Sequence, residues 1–148
     1  MSVSKAYTFR LYPNKEQERF IAKTIGSSRF VFNHFLSVWN ETFKMTGKGL
    51  SYSACSKQLT RLKKELNWLT EVDAHALQSS LKNLSDSFDR FFKKQNDAPR
   101  FKNKRNKVQS YTTNLEKKNQ QPGVSISGNR LKLPKLGWIR FANSRKVE

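Results

Sequence analysis

The stretch Asp73-Ala-His-Ala-Leu-Gln-Ser-Ser-Leu-Lys-Asn-Leu-Ser-Asp-Ser-Phe-Asp-Arg-Phe-Phe-Lys-Lys94 places apolar side chains at Leu77, Leu81, Leu84, Phe88 and Phe91. Alternating steps of four and three residues line all five along one stripe of a helix and along no single face of a strand. This predicts a helix over 73–94 with that stripe buried. Toward the N-terminus, Trp68-Leu-Thr70 connects it to a helix that starts near Ser53 and carries Leu59, Leu62 and Leu66 on one face. Earlier still, Gly47-Lys48-Gly49 stops a helix capped by Ser27, with Phe30, Val31, His34, Phe35, Val38 and Phe43 along it. Asn14, with Gln17 three residues on as its capping-box partner, opens a further helix that runs to Gly26 and holds Phe20, Ile21 and Ile25. The break at Gly26-Ser27 resembles a helix-turn-helix, although any helical hairpin gives this pattern.

Outside this helical block the periodicity changes to two. Ala6-Tyr-Thr-Phe-Arg-Leu11 alternates as a strand until Tyr12-Pro13 breaks it. Val124-Ser-Ile126 and Arg130-Leu-Lys-Leu133 flank Ser127-Gly128-Asn129, a hairpin signature, while Ser110-Tyr-Thr-Thr113 and Trp138-Ile-Arg-Phe141 read as further strands. The polar stretch 116–122 reads as a loop. A lone N-terminal strand needs partners, and the C-terminal strands are the economical choice. The fold class is therefore α+β: a β-rich unit of residues 1–12 plus 97–148, with a four-helix lobe of residues 13–96 inserted into it.

Composition bounds the function. The 148 residues carry 29 Lys and Arg against 11 Asp and Glu, a formal net charge of +18. Such a surplus repels itself in a compact fold unless a polyanion neutralises it, and nucleic acid is the commonest polyanion. Residues 97–148 are the densest part, with 13 Lys and Arg against 3 Asp and Glu. Mean hydropathy is -0.78, and no apolar run approaches the roughly 20 residues a membrane span requires. The N-terminus lacks a signal-peptide core, and the single cysteine, Cys55, excludes an internal disulfide or a multi-cysteine zinc site. Cytoplasm is the expected compartment.

Two groups of residues are candidates for binding. The first is the basic run Arg100, Lys102, Lys104, Arg105 and Lys107, with Phe101 inside it and Tyr111, Lys132, Lys135 and Trp138 beyond. Basic side chains neutralise phosphates while aromatic rings stack on bases, so contact along a backbone is expected. The second group is Tyr52, Ser56, His75, Gln78 and Lys82, the last three at i, i+3 and i+7 on one helix face. Spacing alone makes this an ordinary polar face, although these residue types suit base edges and phosphates. His34 and His75 lie on separate helices from Cys55 or from each other, which supports neither a metal site nor a nucleophile–base pair. The acidic residues are accounted for by helix starts and charge pairing.

Lys5-Ala-Tyr-Thr-Phe-Arg-Leu-Tyr-Pro-Asn14 and Ser28-Arg-Phe-Val-Phe-Asn-His-Phe-Leu36 closely resemble the start of TnpB (OrfB) proteins of insertion sequences. So do Thr46-Gly-Lys-Gly-Leu-Ser-Tyr52, Trp68-Leu-Thr-Glu-Val-Asp73 and Ala76-Leu-Gln-Ser-Ser-Leu-Lys-Asn-Leu84. Pro99-Arg-Phe-Lys102, Ser110-Tyr-Thr-Thr113 and Arg130-Leu-Lys-Leu-Pro-Lys-Leu-Gly137 extend the match over nearly the whole chain. The resemblance implies part of an RNA-guided DNA endonuclease, in which a guide RNA pairs with the target and the protein checks a short adjacent duplex motif. It also implies a wedge β-barrel around a helical recognition lobe. Tyr52, Ser56 and Gln78 fall where relatives contact that motif, so His75 and Lys82 beside them join the DNA-binding set. Two departures bear on the motif read: Ala74-His75 replaces a Lys–aromatic pair, and Leu115-Glu116-Lys117 stands where Thr-Asn is common. The family's RuvC-like nuclease domain, with three metal-binding carboxylates, and its zinc ribbon are expected to lie outside this sequence. Guide RNA and double-stranded target DNA are thus the implied partners. No cleavage is expected from this chain, and Mg and Zn are expected only in the parts it lacks. Stand-alone rivals are a DNA-binding repressor and a helix-turn-helix regulator working without RNA.

Overall fold

In the computed structural model, residues 8–106, 109–113 and 125–142 are described. Lys107, the start of the N-terminal strand at Ala6-Tyr7, the 116–122 stretch and Val124 lie outside them. The elements run β1 (Leu11–Tyr12), α1 (Lys15–Thr46), α2 (Tyr52–Glu65), a 3₁₀ turn (Asn67–Glu71), α3 (Ala74–Phe92), β2 (Ser125–Ser127), β3 (Arg130–Leu133) and β4 (Gly137–Phe141). The class is α+β, and backbone contacts divide the chain into Met1–Ile21 with Leu115–Glu148 and, separately, Ala22–Asn114.

α3 forms where its stripe predicts. Asp73 caps it, its Oδ1 accepting from the His75 backbone N–H at 2.9 Å, and Leu77, Leu81, Leu84 and Phe88 are buried along it. Phe91 falls off the stripe and is 37% exposed. Lys94, with φ of 60°, takes the left-handed position that ends the helix, and the Gln95 N–H returns to Arg90 O at 2.9 Å. The stripe packs on Val31, Phe35, Leu36 and Trp39 of α1, on Cys55 and Leu59 of α2, and on Leu69 and Val72 between the helices.

α1 overturns part of the sequence reading. The capping box is present in both directions, Gln17 N–H to Asn14 Oδ1 at 2.8 Å and Asn14 N–H to Gln17 Oε1 at 2.9 Å. The helix then runs 32 residues without the break predicted at Gly26-Ser27, so the described residues form three α-helices and a 3₁₀ turn instead of four helices. Tertiary packing explains the difference. Thr24, Ser27 and Ser28 are buried, and Ser80 Oγ on α3 donates to Ser28 O at 2.8 Å, a close approach that small side chains permit. Burial of this face outweighs the weak helix preference of Gly and Ser. A Cβ added to Gly26 would meet only an Arg29 nitrogen, at 3.7 Å. Gly26→Ala is therefore expected to stabilise the protein by about 0.5–1 kcal/mol in urea denaturation. Destabilisation would instead indicate a turn at this point.

The other unit is a four-stranded antiparallel sheet in the order β1-β4-β3-β2, open among the described residues. The N-terminal strand does pair with a C-terminal one: Leu11 lies opposite Phe141 and Tyr12 opposite Arg140. The β2–β3 hairpin turns through Gly128 at φ of 59°. Leu136, Ile139 and Phe141 are buried, Phe9 meets the Phe141 ring edge-on at 5.1 Å, and Gln17 Nε2 donates to Trp138 O. The strand predicted at Ser110–Thr113 does not form. Those residues have irregular backbone and no partner in this sheet.

Candidate nucleic-acid interface

Four of the five helical candidates come together. α2 opens at Tyr52 because Ser51 caps it, its Oγ accepting from the Ala54 N–H. Tyr52 and Ser56 thus face α3, where the Tyr52 hydroxyl donates to Gln78 Oε1 at 3.1 Å and Ser56 Oγ donates to the same oxygen at 3.3 Å. In this arrangement one amide oxygen accepts from both hydroxyls. The Gln78 Nε2 has no hydrogen-bond partner among the described residues. Lys82, one turn on, holds its ammonium 6.0 Å from the Tyr52 ring centroid and pairs with Asp86 at 3.2 Å. His75 stands one turn before Gln78, half-buried, with its backbone N–H used in the cap.

The basic run is an irregular segment anchored by a residue that sequence reasoning missed. Asn33 on α1 accepts from the Lys102 N–H at 2.7 Å and donates to Lys102 O at 2.9 Å, pairing with that residue as a strand would. The Lys102 ammonium sits 4.4 Å from the Phe32 ring centroid, and partial burial holds its pKa below the usual lysine value. Lys104 and Arg105 are exposed, their backbone turned by the Asn103 side chain accepting from the Arg105 N–H. Arg100 lies 3.9 Å from Asp97, both largely exposed. Tyr111 belongs to the helical unit, half-buried, its phenol pKa raised by burial and then by the Asp73 carboxylate. Lys132, Lys135 and Trp138 belong to the sheet unit, so the first group is shared between two units.

On the sheet, alternation puts Ile139 and Phe141 inside and Trp138 and Arg140 outside. Lys132 lies opposite Trp138, and Arg130 opposite Arg140, whose guanidinium is 5.7 Å from the Tyr12 ring centroid. Tyr12 and Trp138 are 46% and 45% exposed. Arg130, Arg140 and Tyr12 were absent from the sequence-derived set, although the two-residue step from Trp138 to Arg140 signals the shared face. Two arginines directly opposed repel each other, and a bound anion relieves that repulsion. Lys135 sits in the following turn at φ of 61°.

Among the described residues no group of three or more His, Cys, Asp or Glu side chains could hold a metal ion. Cys55 is buried and its thiol pKa is raised by burial, and His34 packs between the Phe30 and Phe35 rings. No helix of the described residues is long and apolar enough to cross a membrane.

A basic α+β chain with an aromatic, cationic sheet face and a polar helix face belongs to the nucleic-acid-binding class. Residues 1–48 match the family model of the helix-turn-helix domain of IS605 OrfB. Over those residues the described structure has β1 and the uninterrupted α1. The chain is 34% identical over 146 residues to a protein of Escherichia coli K12 named RNA-guided DNA endonuclease InsQ, covering 97% of this chain and 35% of the relative. It is 34% identical over 105 residues to one of Streptomyces pristinaespiralis named RNA-guided DNA endonuclease, covering 70% of this chain and 26% of the relative. The chain therefore belongs to the TnpB (OrfB) family, and it spans about a third or less of the length of these relatives.

Proposed function

We propose that this chain is the recognition part of an RNA-guided DNA endonuclease, binding guide RNA on the sheet face and the basic segment, and target duplex on the helical face. The observation that carries it is the Gln78 amide, whose Oε1 accepts from both the Tyr52 and Ser56 hydroxyls, beside Lys82. The two amide donors that these hydroxyls leave unused suit the acceptors of a base edge, while Lys82 supplies charge for an adjacent phosphate. On the sheet, Arg130, Lys132 and Arg140 among the exposed Tyr12 and Trp138 rings suit phosphates and unstacked bases of single-stranded RNA. The open sheet is proposed to be most of a small wedge barrel, with the helices as its recognition lobe. The nuclease carboxylates, magnesium and zinc belong, on this reading, to the portion of the relatives beyond the match, and the protein works at the nucleoid.

The test uses purified chain, Mg²⁺, guide RNA and a matching target with a permissive motif. Guide-dependent target binding without cutting is expected, and reproducible cleavage absent from a mock preparation would sink the claim. Tight sequence-specific DNA binding without RNA would favour a stand-alone repressor. Gln78→Ala is expected to relax base preference at one motif position by about 1–3 kcal/mol. Sequencing of duplexes selected for binding measures this, and an unchanged motif profile removes Gln78 from the readout.

A further inference from the structure

Between α1, α3 and the segment that follows Lys102 lies a polar cavity of about 180 Å³, away from the Tyr52–Gln78 group. That is several times the roughly 30 Å³ that a water molecule occupies in the liquid. Ser28, Arg29, Ser79, Asn83, Lys102 and Gln109 are among its lining residues, and no lining residue is acidic. Ser28, on α1, contributes a hydroxyl to this lining. It is buried, the residue is only 6% exposed, and the Oγ has no hydrogen-bond partner, not even the carbonyl one turn back that helical serines commonly use. A buried hydroxyl left so is costly unless something in the cavity accepts from it.

The cations are held in advance. Arg29 Nη1 donates to Gln109 Oε1 at 3.1 Å, and Gln109 Nε2 donates in turn to Asn103 O at 3.1 Å and Asn106 O at 2.9 Å. Asn33 clamps the backbone of Lys102, another lining residue. A cavity lined by an arginine, a lysine, amides and hydroxyls, with no carboxylate in its lining, has the chemistry of an anion site.

We propose that this cavity binds a single phosphate group. Its source is a backbone phosphodiester of the bound nucleic acid, an assignment that rests on the nucleic-acid reading above, or else a free monoester. A strand phosphate seated here is fixed by Arg29, Lys102 and the Ser28 hydroxyl, and it sets the register of the strand without reading its bases.

The intact chain is titrated with dimethyl phosphate, with inorganic phosphate and with a short duplex, while side-chain N–H signals of Arg29 and Gln109 are followed by NMR. Saturable shifts at both residues are expected with a phosphate probe and not with chloride at matched ionic strength. Ser28→Ala keeps the charge and favours the helix, and is expected to weaken the phosphate response several-fold. Arg29→Gln is expected to weaken it about tenfold or more, and to flatten the salt dependence of duplex binding by about one unit of log–log slope. Lys57→Ala, an exposed position on α2 outside both candidate groups, leaves the cavity response unchanged. Absent shifts, or equal shifts with chloride, overturn the site. Shifts with inorganic phosphate but not with dimethyl phosphate or duplex keep the anion site and overturn the strand assignment. Duplex binding without shifts at Arg29 and Gln109 overturns the site while leaving nucleic-acid binding intact.

Discussion

Replacing Gly49 by alanine is expected to cost about 3 kcal/mol, because the added methyl group occupies the place of the Trp39 indole. Trp39 cannot step aside. Its ring lies nearly parallel to Phe88 at 3.7 Å between centroids and to Phe43 at 5.4 Å, each at 11°. Gly49 closes the remaining side, so the backbone after α1 or the whole aromatic stack must move. Against a typical domain stability of about 5–15 kcal/mol the loss is large. Gly47→Ala is the control: no atom lies within 4 Å of its added Cβ, and its φ of 75° alone costs about 1–2 kcal/mol. In a Trp39→Leu background the Gly49→Ala penalty is expected to shrink markedly, a coupling that a double-mutant cycle on urea midpoints reads directly. Equal penalties in both backgrounds would place the strain elsewhere.

Changing Lys102, Lys104 and Arg105 together to alanine is expected to weaken nucleic-acid binding across all sequences. Each lost phosphate contact lowers the log–log salt slope by about 0.9, so three contacts correspond to roughly 10²–10³ in affinity near 0.1 M salt. Lys104 and Arg105 are exposed and free to follow a backbone. Lys102 also rests on Phe32, so its replacement removes packing as well as charge. Comparing the triple variant with the Lys104/Arg105 pair separates the two. A slope that does not change means this segment is not the phosphate track.

Local signals were legible. The Asn14–Gln17 capping box, the α3 stripe, the hairpin at Gly128 and the pairing of the N-terminal strand with a C-terminal one follow from residues a few positions apart or from the need of a lone strand for partners. Distant contacts decided the rest. Gly26-Ser27 looks like a helix end until Ser80, 52 residues beyond Ser28, packs against it. Ser110–Thr113 has strand composition but no sheet partner, and Lys102 is positioned by Asn33, 69 residues away. Gly49 reads as a helix stop, yet its lack of a side chain serves Trp39. For the candidate site, periodicity put His75, Gln78 and Lys82 on one face, but only the crossing of α2 and α3 joined Tyr52 and Ser56 to Gln78. Arg130 and Tyr12 became neighbours of Arg140 only through strand register.

The most direct test of nucleic-acid binding by this chain is the anisotropy of a labelled guide RNA titrated with the purified 148-residue protein, at salt concentrations from about 50 to 200 mM. The account predicts saturable binding whose log affinity falls linearly with log salt, with a slope corresponding to several phosphate contacts. Absent binding at about 50 mM salt, or an affinity independent of salt, would contradict it.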